Sequence, residues 1–224
     1  MREKIKIVYF VYLAPNRWEP IVLEQLNSLK SLGLYDLADN IYISVSSGHD
    51  ELKRLKQHIW AKYKKIELIN HFQENHYEYP GLRAVWDLSQ GEDSVILYFH
   101  TKGMTSGVKI PGQNDTRKIL FKHTISNYEN YLKEFETHPE LEVGCVFPSE
   151  FGFAWYNFFW IRSSYVKNNL PEPKTIGNRY YWERWIGNEH SYKKDIKCYS
   201  PFLGHRRLGN KAQLYQLRHR VMRA

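Results

Sequence analysis

The chain has 224 residues, enough for one domain or one domain with a tail, and a 42% hydrophobic content allows a sizeable core. Its net charge of +8 calls for an anionic partner: nucleic acid, an anionic membrane surface or an anionic small substrate. Two cysteines without paired spacing argue against a zinc site and suggest buried free thiols, and no apolar run reaches the roughly 20 residues of a membrane span. With no secretory leader, these features predict a cytoplasmic protein.

Lys4–Tyr12 is β-branched and aromatic and predicts a first buried strand. After a turn at Ala14, Pro15 and Asn16, the apolar positions Ile21, Leu23, Leu26, Leu29 and Leu32 predict a helix over Trp18–Leu32, capped by Gly33. Asn40–Ser46 reads as a second strand, Glu51–Tyr63 as a charged amphipathic helix and Lys65–Asn70 as a third strand. Gly81–Leu88 reads as a helix, Ser94–Phe99 as a fourth strand and Lys118–Glu136 as one long helix. Strands follow at Val143–Phe147, Phe158–Ile161 and Lys197–Ser200, with helices at Ser163–Asn168 and Tyr180–Glu189. Strand and helix alternate, so the expected fold class is α/β: one Rossmann-like domain with a mostly parallel central sheet flanked by helices. The domain is expected over residues 1–205, and residues 206–224 form a basic tail. There Leu208, Leu214, Leu217 and Val221 recur at near-helical spacing among arginines. Such a helix either touches a membrane surface peripherally or packs on its own domain.

The fourth strand ends in His100-Thr101-Lys102-Gly103. Ligands of open α/β sheets bind beyond the carboxyl ends of strands, and a cation with a hydroxyl beside a glycine suits phosphate. The phosphate loops GxxxxGK[ST] and GxGxxG are absent, as are GxSxG and HExxH.

The order of segments resembles that of small GT-A-type glycosyltransferases over roughly Lys4 to His205. The resemblance rests on the opening strand and loop Val8–Asn16, on Glu78-Tyr79-Pro80-Gly81-Leu82-Arg83 and on the strand ending in HTKG. It continues through Asn157–Arg162, Arg179–Gly187 with its Arg-x-x-x-Glu-x-Trp-Ile-Gly pattern, and Gly204-His205. HTKG stands where that family carries its metal-binding DxD. The resemblance implies transfer of a sugar from a nucleotide diphosphate sugar to a glycan or lipid-linked acceptor. Lys102 would replace a metal at the diphosphate, so no cofactor is required and manganese is the disfavoured alternative. Arg83, His100, Thr101, His205 and Arg206 would help hold the donor, with Tyr12, Ala14 and Ser47 near the base. Glu183, between Trp182 and Trp185, is the first candidate base for the acceptor hydroxyl, and the tryptophans would stack on sugar. Glu150 and Glu189 are weaker candidates, and Gly103–Asn114, with Asp115 beside it, is a candidate lid. The competing reading is a basic nucleic-acid-binding protein without catalytic activity, although the charge is concentrated in the tail and no RNP-like or KH-like motif occurs.

Overall fold

In a computed structural model, which describes residues 3–102, 113–150, 152, 154–175, 180–187 and 196–222, seven strands form one sheet in the order β3-β2-β1-β4-β6-β5-β7. They are β1 (Lys4–Tyr12), β2 (Asn40–Ser46), β3 (Ile66–Phe72), β4 (Ser94–His100), β5 (Val143–Cys145), β6 (Phe159–Arg162) and β7 (Cys198–Tyr199). β1 pairs in parallel with β2 and β4, β2 with β3, and β5 with β7; β6 runs antiparallel between β4 and β5. The fold is α/β and Rossmann-like, as the alternation of segments predicts.

The central strands are apolar on both faces because helices cover both. Along β1, Ile5, Ile7, Tyr9 and Val11 enter one core and Val8 and Phe10 the other; Val95, Leu97 and Phe99 against Ile96 and Tyr98 repeat the division along β4. The first face carries α1 (Trp18–Ser31), α2 (Leu34–Leu37) and α3 (His49–Leu55), which continues as a π-turn over Lys56–Trp60. It also carries α5 (Gln113–Leu120), a π-turn at Phe121–Ile125, α6 (Tyr128–Thr137) and α9 (Lys211–Val221). The second face carries α4 (Tyr79–Ser89), α7 (Ser163–Asn169) and α8 (Tyr180–Trp185).

Four expectations need adjustment. The long helix expected over Lys118–Glu136 is broken, because Ser126 and Asn127 turn the chain between the π-turn and α6. The strand expected to stop at Phe99 includes His100, which pairs with Phe10 and is buried. β5 and β7 are shorter than their apolar runs. α8 ends at Trp185, and residues 188 and 189 of its expected extent lie outside the described residues.

α4 lies unusually close to the sheet. A Cβ on Gly81 would stand 2.6 Å from Phe10 Cβ and 2.7 Å from the Tyr98 ring, so only glycine lets this helix approach. α9 starts at Asn210, whose side chain accepts from the Gln213 N–H, an N-cap. Its apolar stripe of Leu214, Leu217 and Val221 is buried in the first core, together with Leu208. The tail therefore packs on its own domain. Among the described residues, no helix is long and apolar enough to cross a membrane.

Candidate functional site

The sheet grows outward from β1 in one direction through β2 and β3, then resumes on the other side of β1 with β4. The crevice between the carboxyl ends of β1 and β4 is thus the topological switch point, where open α/β sheets bind ligands. Tyr12 and Thr101 meet there: the Tyr12 N–H donates to Thr101 Oγ1 at 3.1 Å, and the Thr101 N–H donates to the Phe10 carbonyl. Thr101 is 4% exposed, so its hydroxyl laces two strands together. Ala14 closes the turn after β1 and is buried. Ser47 is also buried; its hydroxyl donates to the Gly48 carbonyl at 3.0 Å, and its own carbonyl accepts from His71 Nε2 at 2.9 Å.

His100 Nε2 donates to the Tyr156 carbonyl at 3.1 Å, which requires the Nε2–H tautomer. Burial, helped by the Lys102 charge, pulls its pKa from 6.5 to about 3. Glu78 Oε1 at 3.6 Å would favour the imidazolium, but desolvation outweighs it. His100 is therefore a neutral structural donor at the strand end.

The residue His100 holds is the hub of the site. Tyr156 and Asn157 are consecutive non-glycine residues with φ of 73° and 50°, a strained left-handed pair. Lys102 Nζ lies 4.8 Å from the Tyr156 ring centroid and the Arg218 guanidinium 5.8 Å from it. Arg218 also donates to Thr116 Oγ1 at 2.9 Å and reaches the Tyr156 hydroxyl at 3.5 Å. Arg218 Nε is buried and has no hydrogen bond among the described residues. Burial raises the Tyr156 phenol pKa; Arg218 opposes that rise and the Glu183 carboxylate adds to it. Lys102, Arg218 and Glu183 therefore act electrostatically on one tyrosine, although they come from β4's end, α9 and α8.

Gly187 explains how α8 is seated. Its added Cβ would meet Gly152 Cα at 2.6 Å and the Gly152 carbonyl oxygen at 2.8 Å, so two backbones touch. In the ExWIG run, Trp185 and Ile186 are buried, Gly187 makes this contact and Glu183 keeps partial exposure. Trp182 and Trp185 are 1% and 0% exposed, and Trp185 Nε1 donates to the Pro171 carbonyl. Neither ring has a face open to a sugar, contrary to the stacking role expected for them. Tyr79 likewise packs on Phe72 and Trp182.

Three other expected donor contacts lie elsewhere or are engaged. Arg83 pairs with Asp87 at 2.9 Å and with Glu172 across the surface of the second face. His205 contacts Glu134 and His138 beside the amino-terminal end of β5, the edge of the sheet opposite His100. It cannot join Lys102 at one diphosphate. Arg206 is exposed and donates to the Leu203 carbonyl in the turn before α9. Glu150 is exposed beside Gly209, and Asp115 is exposed on α5. Glu189, Arg179 and residues 103–112 of the expected lid lie outside the described residues.

Two residues beside the crevice receive no role from the sequence. Arg218 falls in the basic amphipathic tail, whose spacing does not tell where α9 docks. Glu78, just before α4, accepts from Asn157 Nδ2 and faces His100. Its place ahead of a Pro-started helix that follows a strand puts it at the carboxyl edge, a signal available from the segment order alone. No protein-family model matches the chain, and no curated protein matches it significantly.

Proposed function

We propose that the chain is a glycosyltransferase that moves a sugar from a nucleotide diphosphate sugar to a glycan or lipid-linked acceptor. The observation that carries this reading is the convergence of Lys102 and Arg218 on the Tyr156 ring beside the carboxyl end of β4, with the Glu183 carboxylate near enough to act on the same phenol. Two cations beside a strand end suit a diphosphate, and the buried Arg218 Nε–H still has a hydrogen bond to give. In the reaction, the bond from the anomeric carbon to the diphosphate breaks and the acceptor oxygen forms the glycosidic bond. Lys102 and Arg218 stabilise the charge that develops on the departing nucleoside diphosphate. Glu183 takes the acceptor proton. The tie between Thr101 and Tyr12 holds the floor of the crevice.

The test is a thermal-shift screen with nucleoside diphosphates and their sugars, with and without manganese, followed by transfer assays with the donor that stabilises. Lys102→Ala is expected to lower turnover about 10²- to 10³-fold. Glu183→Gln is expected to lower it about 10²- to 10⁴-fold with donor affinity kept. Full activity in either variant removes that residue from the mechanism, and a screen in which no nucleotide stabilises the chain removes the reading itself.

One observation favours the second reading, nucleic-acid binding. A cleft of about 370 Å³ between the turn before α9 and α9 itself is lined by Arg206, Arg207 and Arg220 with Gln213 and Gln216. RNA binding that weakens steeply with salt, in a chain that no nucleotide sugar stabilises, would select it.

A further inference from the structure

We propose that Glu134, His138 and His205 form a binding site for a divalent transition metal of the zinc class, apart from the crevice described above. Glu134 and His138 stand one helical turn apart at the end of α6, where the His138 N–H still donates to the Glu134 carbonyl at 2.9 Å. That spacing puts both side chains on one face. His205 arrives from a tight turn closed by reciprocal backbone hydrogen bonds between Ser200 and Gly204, each 2.8 Å, with Gly204 at φ 60°. A turn and a helix end with no sequence proximity thus converge their ligand atoms.

Two of the three ligand-to-ligand distances match the edges of a coordination polyhedron. Glu134 Oε2 lies 3.6 Å from His138 Nε2 and 3.3 Å from His205 Nε2. One ligand atom from each of the three residues falls within 4.8 Å of the others. A tetrahedral zinc ion with Zn–N and Zn–O bonds of about 2.0–2.2 Å has ligand-to-ligand edges of about 3.3–3.5 Å. The imidazoles meet edge to face, centroids 4.7 Å apart at 63°. Glu134 Oε2 is buried and, among the described residues, accepts no well-aligned hydrogen bond; its nearest polar neighbours are the two imidazole nitrogens, and a cation between them would satisfy all three. His138 Nδ1 faces Glu140 Oε1 at 3.6 Å, the outer carboxylate that commonly orients a ligating imidazole.

Two nitrogens and one oxygen suit zinc and its transition-metal neighbours over magnesium or calcium, which take oxygen sets. Three protein ligands leave a fourth position open, and His138 and His205 also line a cleft of about 310 Å³ bordered by Lys197 and Arg207. Water or a small anion fits there. A bound ion would staple the turn before His205 to the end of α6 and brace the β7 side of the sheet. The sequence argued against zinc because it counted thiols; the ligands are a helical Glu-x-x-x-His and a distant histidine.

The test uses the full chain stripped of metal by chelation. Zinc titrated by calorimetry is expected to bind one ion per chain and raise the melting temperature. Cobalt is expected to give the intense visible absorption of a tetrahedral nitrogen–oxygen site. His138→Ala and His205→Ala are each expected to weaken zinc binding by more than about 100-fold. His58→Ala, at an exposed histidine paired with Glu19, should leave it unchanged. Absence of zinc binding, equal binding in the two ligand variants, or only the weak spectrum of octahedral cobalt in the unaltered chain would overturn the proposal. The cobalt spectrum needs no variant to fold. Sugar transfer depends on none of these residues, so this result and that of the nucleotide screen are independent.

Discussion

At His100 the fold keeps a histidine neutral where water would protonate it. In the unfolded chain it titrates near 6.5; in the native state it does so at about 3. Below pH 6.5 the unfolded state takes up a proton that the native state refuses, so stability falls as pH drops through this window. The slope contributed by this one residue is at most about 1.4 kcal/mol per pH unit. Urea unfolding between roughly pH 4 and 7 should show this slope, and His100→Gln should flatten it. An unchanged slope would mean that His100 is protonated when folded. Its pairing with Phe10 and its burial could not be read from a motif that looked like an exposed polar tip. Lys102 was legible as the cation at a strand's end. Arg218 was not, because a residue's role in a tail depends on where the tail lands.

Among the elements, those that read most clearly were the ones whose apolar periodicity is enforced by burial. β1 and β2 match their predicted runs residue for residue, since helices on both faces leave few polar positions inside them, Lys6 and Ser44 among these. Elements whose limits depend on contacts from afar read less well. The break before α6 has no proline or glycine to announce it, and β6 runs against its neighbours with no local sign. α8 is seated by its buried tryptophans and by the close backbone contact of Gly187, and that contact makes the seat testable. Gly187→Ala must push Gly152 away, at a cost of about 1–3 kcal/mol, and displace the helix that carries Glu183. Thermal melts should show the loss and transfer assays a fall in turnover beyond it. Gly48→Ala is the control, since its Cβ would meet nothing within 4 Å, and it should stay within about 0.5 kcal/mol.

Across the whole molecule, the α/β class, the parallel centre and the place of the crevice followed from the order of segments. The two-sided core, with its division along β1 and β4, is what makes that order stable. The sheet separates two locations: the crevice at the carboxyl end of β4 and the Glu134, His138 and His205 cluster at the opposite edge. His205 belongs to the second, although motif order alone assigned it to the first.

The hydrogen bond between Arg218 and Thr116 spans 102 positions in sequence, and that between Tyr12 and Thr101 spans 89. Contacts that close such long loops reward the chain only after the rest has formed. Tyr12 and Thr101 lie on the paired central strands, whereas Arg218 holds a terminal helix, so the docking of α9 is expected to loosen before the sheet does. In mild denaturant, nucleotide-dependent stabilisation and turnover should fade while the fluorescence of the buried tryptophans still reports a native core. Loss of both signals at one denaturant concentration would show instead that the C-terminal helix and the sheet rise and fall as one cooperative unit.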